Sequence, residues 1–183
     1  MARNVGKRFE QDLIKSAPEY IGVIRLPDAA QSFYRSSNLR FSHKNPYDFI
    51  LWNPQTLTLY ALELKTVQGK SISFERTKEE KGEIHYHQIE GLNKFENIGE
   101  CVCGFVIEFR ELETTIFLPI KEFLKLQEII PKKSFNYKDL QTYDVGYIVI
   151  NQEIKKTHYR YDIDSFLNET ALHRGMEVNQ NEV

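Results

Sequence analysis

The pattern of apolar and polar positions is clearest near the middle of the chain, where it predicts a β-hairpin. Two mainly apolar stretches, residues 47–52 and 58–65, have the length and composition typical of strands. Residues 53–56 between them include the Asn and Pro typical of a turn. The pattern therefore predicts two antiparallel strands joined by a short connection.

The turn of this hairpin decides which residues face each other. We expect it to centre between Gln55 and Thr56, and in that register Asp48 lies opposite Glu63. The two-residue period of a strand places Lys65 on the same face as Glu63. Two carboxylates and an ammonium would then converge among apolar side chains. Burying such charges is costly unless a metal ion or a partner interacts with them, so the convergence indicates a functional site.

The rest of the chain alternates between helical and strand patterns. Helices are predicted over residues 4–17, 83–97, 119–130 and 163–172. Strands are predicted over residues 20–26, 101–110, 114–118 and 147–151, with an extended segment over 70–74. The strand over residues 20–26 is expected to be buried. This order predicts an α/β (α+β) fold, a mixed central β-sheet flanked by helices.

Length and composition indicate one globular domain. The 183 residues are 41% hydrophobic and 27% charged, and no apolar run approaches the roughly 20 residues of a membrane span. We expect a single domain over residues 1–172, a basic insertion at about 27–45 and a flexible polar tail over 173–183. Because the first residues lack an apolar signal core, a cytoplasmic location is expected.

The two cysteines do not indicate a zinc site. Cys101 and Cys103 lie one residue apart in a predicted strand, and no other cysteine completes a thiolate set. They are expected to be reduced residues of the core.

Positive charge is concentrated in one segment, although the net charge is only −2. Residues 32–46 contain no acidic residue and hold four basic ones, Arg35, Arg40, His43 and Lys44. Charge in a loop usually serves solvation. The absence of acids and the interleaved aromatic side chains also suit an arm that contacts DNA phosphates.

The predicted hairpin suits a hard divalent cation. The carboxylates of Asp48 and Glu63, the backbone carbonyl of Leu64, several waters and a substrate phosphate would complete the shell that Mg²⁺ prefers. Lys65 would orient or deprotonate the attacking water, or stabilise the charged transition state. The reaction class is phosphodiester hydrolysis. The alternative is a half-exposed ion pair among Asp48, Glu63 and Lys65 with no catalytic role.

Several motifs in a fixed order carry a resemblance to a known family. They are Asn4-Val5-Gly6, Phe9-Glu10, Asp12-Leu13, Tyr47-Asp48-Phe49, Glu63-Leu64-Lys65-Thr66, Lys70-Ser71-Ile72-Ser73-Phe74, His87-Gln88-Ile89-Glu90, Gly104-Phe105-Val106-Ile107 and Phe117-Leu118-Pro119. Asp48 followed by Glu63-Leu64-Lys65, after a helix that bears Glu10, resembles the PD-(D/E)xK nuclease core. More narrowly, the motifs resemble the RecU-type Holliday junction resolvases over roughly residues 4–167.

The resemblance implies a homodimeric endonuclease, dependent on Mg²⁺ or Mn²⁺, that nicks opposing strands of a four-way DNA junction during recombination or repair. It implies that Asp48 and Glu63 are metal ligands, Lys65 the catalytic lysine, Glu10 a helper acid and Gln88 a group near the scissile phosphate. Given a nuclease, three polar residues after the hairpin are further candidates for binding phosphate, namely Lys70, Ser71 and Ser73. A recombinase partner is not indicated by the sequence.

Two departures from the family bear on specificity. The segment between the first strand and the first acid is shorter than the stalk of RecU proteins, and the hairpin is slightly longer than theirs. Two alternatives therefore stay open. One is a nuclease of the same core that acts on other branched, single-stranded or duplex DNA, and the other is a junction-binding protein without catalytic activity.

Overall fold

The computed structural model describes residues 5–27, 45–99 and 101–181, with side chains as far as residue 172. Its helices are α1 (Val5–Ser16), α2 (Tyr86–Ile98), α3 (Ile120–Ile129), α4 (Tyr137–Thr142) and α5 (Ile163–Asn181), with a 3₁₀ helix at Arg110–Leu112. Its strands are β1 (Gly22–Arg25), β2 (Phe49–Asn53), β3 (Thr58–Val67), β4 (Ile72–Ser73), β5 (Cys101–Phe109), β6 (Thr114–Pro119), β7 (Ser134–Phe135), β8 (Ile148–Ile150), β9 (Gln152–Lys155) and β10 (His158–Tyr161).

Six of the described strands form the central sheet, in the order β1-β2-β3-β5-β6-β8. The pair β3 and β5 is parallel, and the other neighbours in this sheet are antiparallel. Helix α2 lies on the connection between the two parallel strands, which is the usual way to return a chain to the same end of a sheet. The predicted fold class, a mixed sheet flanked by helices, is therefore confirmed.

The hydrophobic core lies in two layers, one on each face of the sheet. Ile89 and Leu92 of α2 and Phe123 of α3 pack in one layer. Phe9 of α1 and Phe166 of α5 pack in the other. Strand β3 contributes to both layers because its side chains alternate between the two faces. The centre of the sheet is thus covered on both sides, and the charged hairpin residues lie beside this covered region.

The central hairpin has the register that the sequence predicts. Phe49 pairs with Leu62, and the pairing continues in step to Asn53 with Thr58. Leu57, at the end of the turn, has a φ of 53°, in the left-handed region that a few turn residues adopt. Asp48 and Glu63, which the sequence predicts to face each other, lie one residue beyond the pair of Phe49 with Leu62.

The first strand differs from the prediction of a buried strand. Among the described residues, β1 is the edge strand of the sheet and pairs only with β2. Ile24 is 58% exposed. An apolar composition indicates a strand, but the position of that strand in the sheet depends on pairings made far along the chain.

Several elements near the C-terminus were not predicted. They are β7, the helix α4 and the hairpin of β9 with β10. Strand β4, which pairs with β7, lies within the predicted extended segment over residues 70–74. Helix α5 continues to Asn181, past its predicted end at residue 172. Neither cysteine forms a disulfide, and Cys103 is buried, as predicted. Within the described ranges, no helix has the length and apolar character needed to cross a membrane.

Candidate active site

The two acidic residues of the hairpin, Asp48 and Glu63, flank the residue pair with which β2 begins, Phe49 and Leu62. The backbone N–H of Asp48 donates to the carbonyl of Leu62 over 3.0 Å, one residue out of step with the pairing of β2 and β3. Its side-chain Oδ2 accepts a hydrogen bond from the backbone N–H of Leu64 over 2.9 Å. Glu63 is only 4% exposed. The backbone therefore holds one carboxylate at the edge of the core and the other inside it.

Lys65 completes the predicted group. Its Nζ lies 3.1 Å from Oε1 of Glu63, and its side chain is only 15% exposed. The alternative interpretation required a half-exposed ion pair, whose contribution to stability would be small. Here both partners are largely removed from solvent. Such a pair has a large desolvation cost and is therefore weak evidence for a stabilising role.

Gln88, in α2, contacts the same carboxylate oxygen of Glu63 as Lys65 does. It lies in the first turn of α2, and its Nε2 donates to Oε1 of Glu63. Its own Oε1 accepts from the backbone N–H of His85 over 2.9 Å. The resemblance placed Gln88 near the scissile phosphate, and the structure brings it into direct contact with a predicted metal ligand.

Burial changes the protonation of both acids. It raises the pKa of Glu63 to about 8, with a contribution in the same direction from Asp48 and an opposing one from the ammonium of Lys65. Burial also raises the pKa of Asp48, against the stabilising hydrogen bond from Leu64, and the nearby Glu10 adds to the rise. Two neighbouring carboxyls that resist ionisation form a site in which a divalent cation would be stabilised.

The donor set fits one small hard cation rather than a cage of protein ligands. Within the described parts of the chain, no three His, Cys, Asp or Glu residues are gathered in a way that could hold a metal ion. The protein would therefore supply the carboxylates of Asp48 and Glu63 and the carbonyl of Leu64. Within a strand, the N–H and the C=O of one residue point to the same side. Because the N–H of Leu64 donates to the side chain of Asp48, the carbonyl of Leu64 also faces the acids. Mg²⁺ is commonly bound by so few protein groups, with waters and substrate phosphate.

Glu10 borders an open cleft of about 420 Å³ beside β3. Lys65 and Leu64 also line this cleft, together with the first turns of α1. Oε2 of Glu10 lies 2.7 Å from Nε of Arg25, the last residue of β1. Glu10 is thus close enough to influence Asp48, as a helper acid would be, but its direct partner is an arginine. The sequence analysis missed Arg25, which reaches this position because β1 pairs with β2.

The predicted DNA-binding residues fall into two sets. Four of them, Arg35, Arg40, His43 and Lys44, lie outside the described residues, and their role stays a prediction. Lys70 and Ser71 are exposed just after β3. Ser73 is bound to Glu83, because its backbone N–H and its hydroxyl both donate to Oε2 of that residue, over 2.9 and 3.1 Å. This contact gives Ser73 a structural use in the loop before α2.

Glycine at position 91 allows α2 to approach the hairpin. A Cβ atom on Gly91 would lie 2.0 Å from Cβ of Pro46, just before Asp48. We expect Gly91→Ala to displace α2 and to lower the free energy of unfolding by about 1–3 kcal/mol, as overpacking does. Urea denaturation would measure this loss of stability. Gly69→Ala is the matched control, because no described residue lies within 4 Å of its added Cβ. Equal stability of the two variants would contradict this account of the packing.

Comparison with known proteins gives a limited result. No family model and no curated protein match the sequence. Among the solved structures that match is Hjc from Archaeoglobus fulgidus, a Holliday junction resolvase from an archaeal hyperthermophile. The two chains are 17% identical, the match covers 75% of this chain and 93% of that one, and the TM-score is 0.46. At this level neither fold nor function is carried over, so the interpretation of the site rests on its own geometry.

Proposed function

We propose that this protein is a metal-dependent endonuclease of the PD-(D/E)xK type that resolves four-way DNA junctions. The observation that carries the proposal is the buried group at the start of the hairpin. Asp48 and Glu63 flank the first residue pair of the hairpin, and Nζ of Lys65 lies 3.1 Å from Oε1 of Glu63. A protein without a cation or substrate at this position would bear the cost of burying these charges with no compensation.

Each residue of the group has a defined role in the proposed hydrolysis. A bound divalent cation, Mg²⁺ or Mn²⁺, supplies charge neutralisation at the scissile phosphate and lowers the pKa of coordinated water. Asp48, Glu63 and the Leu64 carbonyl hold it. Lys65 orients the attacking water or stabilises the charge that develops on the phosphate oxygens. Gln88 keeps the Glu63 carboxylate in one orientation through its hydrogen bond.

The choice of substrate within the proposal rests on the resemblance of the ordered motifs to RecU-type resolvases. Symmetric cuts in two opposing strands require two active sites related by a two-fold axis, so the proposal includes a homodimer. Arg35, Arg40, His43 and Lys44 would neutralise phosphates next to the cut. A cytoplasmic location is part of the same proposal.

A second candidate is a nuclease with the same site that cuts other DNA. The observation that favours it is the short segment between β1 and β2, since residues 26–48 leave less chain for a stalk than RecU proteins have. This candidate requires the same metal ligands and the same lysine. The two differ only in substrate.

Cleavage of a labelled four-way junction beside a linear duplex of the same sequence separates the candidates. We expect paired, symmetric cuts in the junction with Mg²⁺, none with EDTA, and no cuts in the duplex. Equal cutting of both substrates would favour the second candidate. Tight junction binding without cleavage in any metal would show that the protein is a binding module, and the nuclease proposal would be wrong.

A further inference from the structure

A carboxylate outside the hairpin, that of Glu75, organises the segment that leads into α2. Glu75 is 8% exposed. Its Oε2 accepts a hydrogen bond from the backbone N–H of Tyr86 over 2.7 Å, and its Oε1 accepts one from the backbone N–H of Gly82 over 3.2 Å. Nδ1 of His85 lies 2.8 Å from the same Oε1. Three groups within five residues of chain thus converge on one side chain.

The position of this carboxylate suits the start of a helix. Tyr86 is the first residue of α2, so its N–H has no acceptor within the helix. A negative charge is also stabilised at the positive end of the helix dipole. Burial alone would raise the pKa of Glu75, but the hydrogen bonds from His85, Tyr86 and Gly82 outweigh it and hold the pKa below its usual value. The group that binds the helix start is therefore ionised at neutral pH.

The same helix turn carries the contact with the candidate active site. The backbone N–H of His85 donates to Oε1 of Gln88, which fixes the orientation of that amide. With its oxygen held there, the amide presents its NH₂ group to Glu63 and can only donate to it. His85 therefore contacts Glu75 through its ring and Gln88 through its backbone. An unbroken series of hydrogen bonds joins Glu75 to Glu63.

We propose that Glu75 is a positioning residue, which fixes the first turn of α2 so that the Gln88 amide holds Glu63 in the orientation needed for hydrolysis. This inference rests on the proposed nuclease function. Groups that orient a metal ligand without touching the metal typically change activity by about 10- to 100-fold when they are replaced. Glu75 acts one step further away, and we expect the lower end of that range.

A double-mutant cycle tests the proposal. Glu75→Gln keeps the shape of the side chain, but its amide nitrogen cannot accept the hydrogen bonds that one carboxylate oxygen accepts. We expect kcat for junction cleavage to fall about ten-fold with KM for DNA unchanged. Gln88→Ala should lower kcat at least as much. If Glu75 acts through Gln88, adding Glu75→Gln to Gln88→Ala has no further effect. Additive losses would overturn the proposal.

Asp139→Asn is the matched control. Asp139 also binds a backbone N–H at the start of a helix, because its Oδ2 accepts from Asn136 over 2.7 Å before α4. Its other side-chain partner is the exposed Lys132. We expect this variant to keep the kcat of the wild type. A loss equal to that of Glu75→Gln would mean that any weakened helix start lowers activity, and would overturn the proposal.

A second measurement needs neither metal nor DNA. The side-chain amide signals of Gln88 in a ¹⁵N–¹H spectrum report its hydrogen bonds, and we expect Glu75→Gln to move them towards those of a free amide. His85→Ala removes one of the three groups that contact Glu75 and should move the Gln88 signals less than Glu75→Gln does. If Glu75→Gln does not fold, His85→Ala takes its place in this measurement. Unmoved signals in a folded variant would overturn the proposal. A wild type that cuts no DNA would instead refute the nuclease function, and the Gln88 signals would still decide the role of Glu75.

Discussion

Asp48→Asn should abolish phosphodiester cleavage while leaving DNA binding within about two-fold of the wild type. The amide oxygen of asparagine can still accept the hydrogen bond from the Leu64 N–H, so the start of β2 keeps its geometry. The negative charge that a divalent cation needs is lost. Metal ions contribute several kcal/mol to such reactions, which corresponds to a loss of about 10³-fold or more in the rate of the chemical step.

Single-turnover cleavage of a labelled junction with excess enzyme measures this loss, and a binding assay in EDTA measures affinity separately. Asp162→Asn is the control, because Asp162 also accepts a backbone N–H, that of Ser165, over 3.0 Å, and lies outside the candidate site. The Asp162→Asn variant should cleave the junction at the rate of the wild type. Undiminished cleavage by Asp48→Asn would exclude Asp48 as a metal ligand, and equal losses of cleavage and binding would point to a folding defect.

The sequence was sufficient for the hairpin because its determinants are local. Turn residues at 53–56 and the two-residue period fix the register, and the register alone brings Asp48 and Glu63 together. The same local rules place Lys65 on the face of Glu63. These three residues could therefore be predicted as a group without knowledge of the rest of the sheet.

The rest of the site depends on contacts between distant parts of the chain. Arg25 reaches Glu10 only because β1 pairs with β2 at the sheet edge, and that pairing is also why β1 is exposed. Glu75 reaches Tyr86 because the chain doubles back before α2, which no periodicity indicates. The contact of Gln88 with Glu63 requires α2 to approach closely at Gly91. Burial of the acids likewise follows from the whole fold and not from their spacing.

That burial leads to a prediction about stability that does not require catalysis. The pKa of Glu63 is about 8 in the folded protein, against about 4.5 for an exposed glutamate. Between about pH 4.5 and pH 8 the folded protein keeps a proton on Glu63 that the unfolded chain releases. The free energy of unfolding therefore falls as pH rises through this range and becomes constant above about pH 8. Each unit of pKa corresponds to about 1.4 kcal/mol, so the total loss is on the order of several kcal/mol.

Urea denaturation of the metal-free protein from pH 5 to pH 9 measures this effect. The free energy of unfolding should decline up to about pH 8 in the wild type, and the decline should be much smaller in Glu63→Gln. All other titratable groups are the same in both proteins, so the difference between the two curves isolates the contribution of Glu63. Mg²⁺ at pH 8 should raise the stability of the wild type but not of the variant, because ligand binding to the folded state stabilises it. Parallel curves would mean that Glu63 ionises normally, and the argument for a cation site from buried acids would then be wrong.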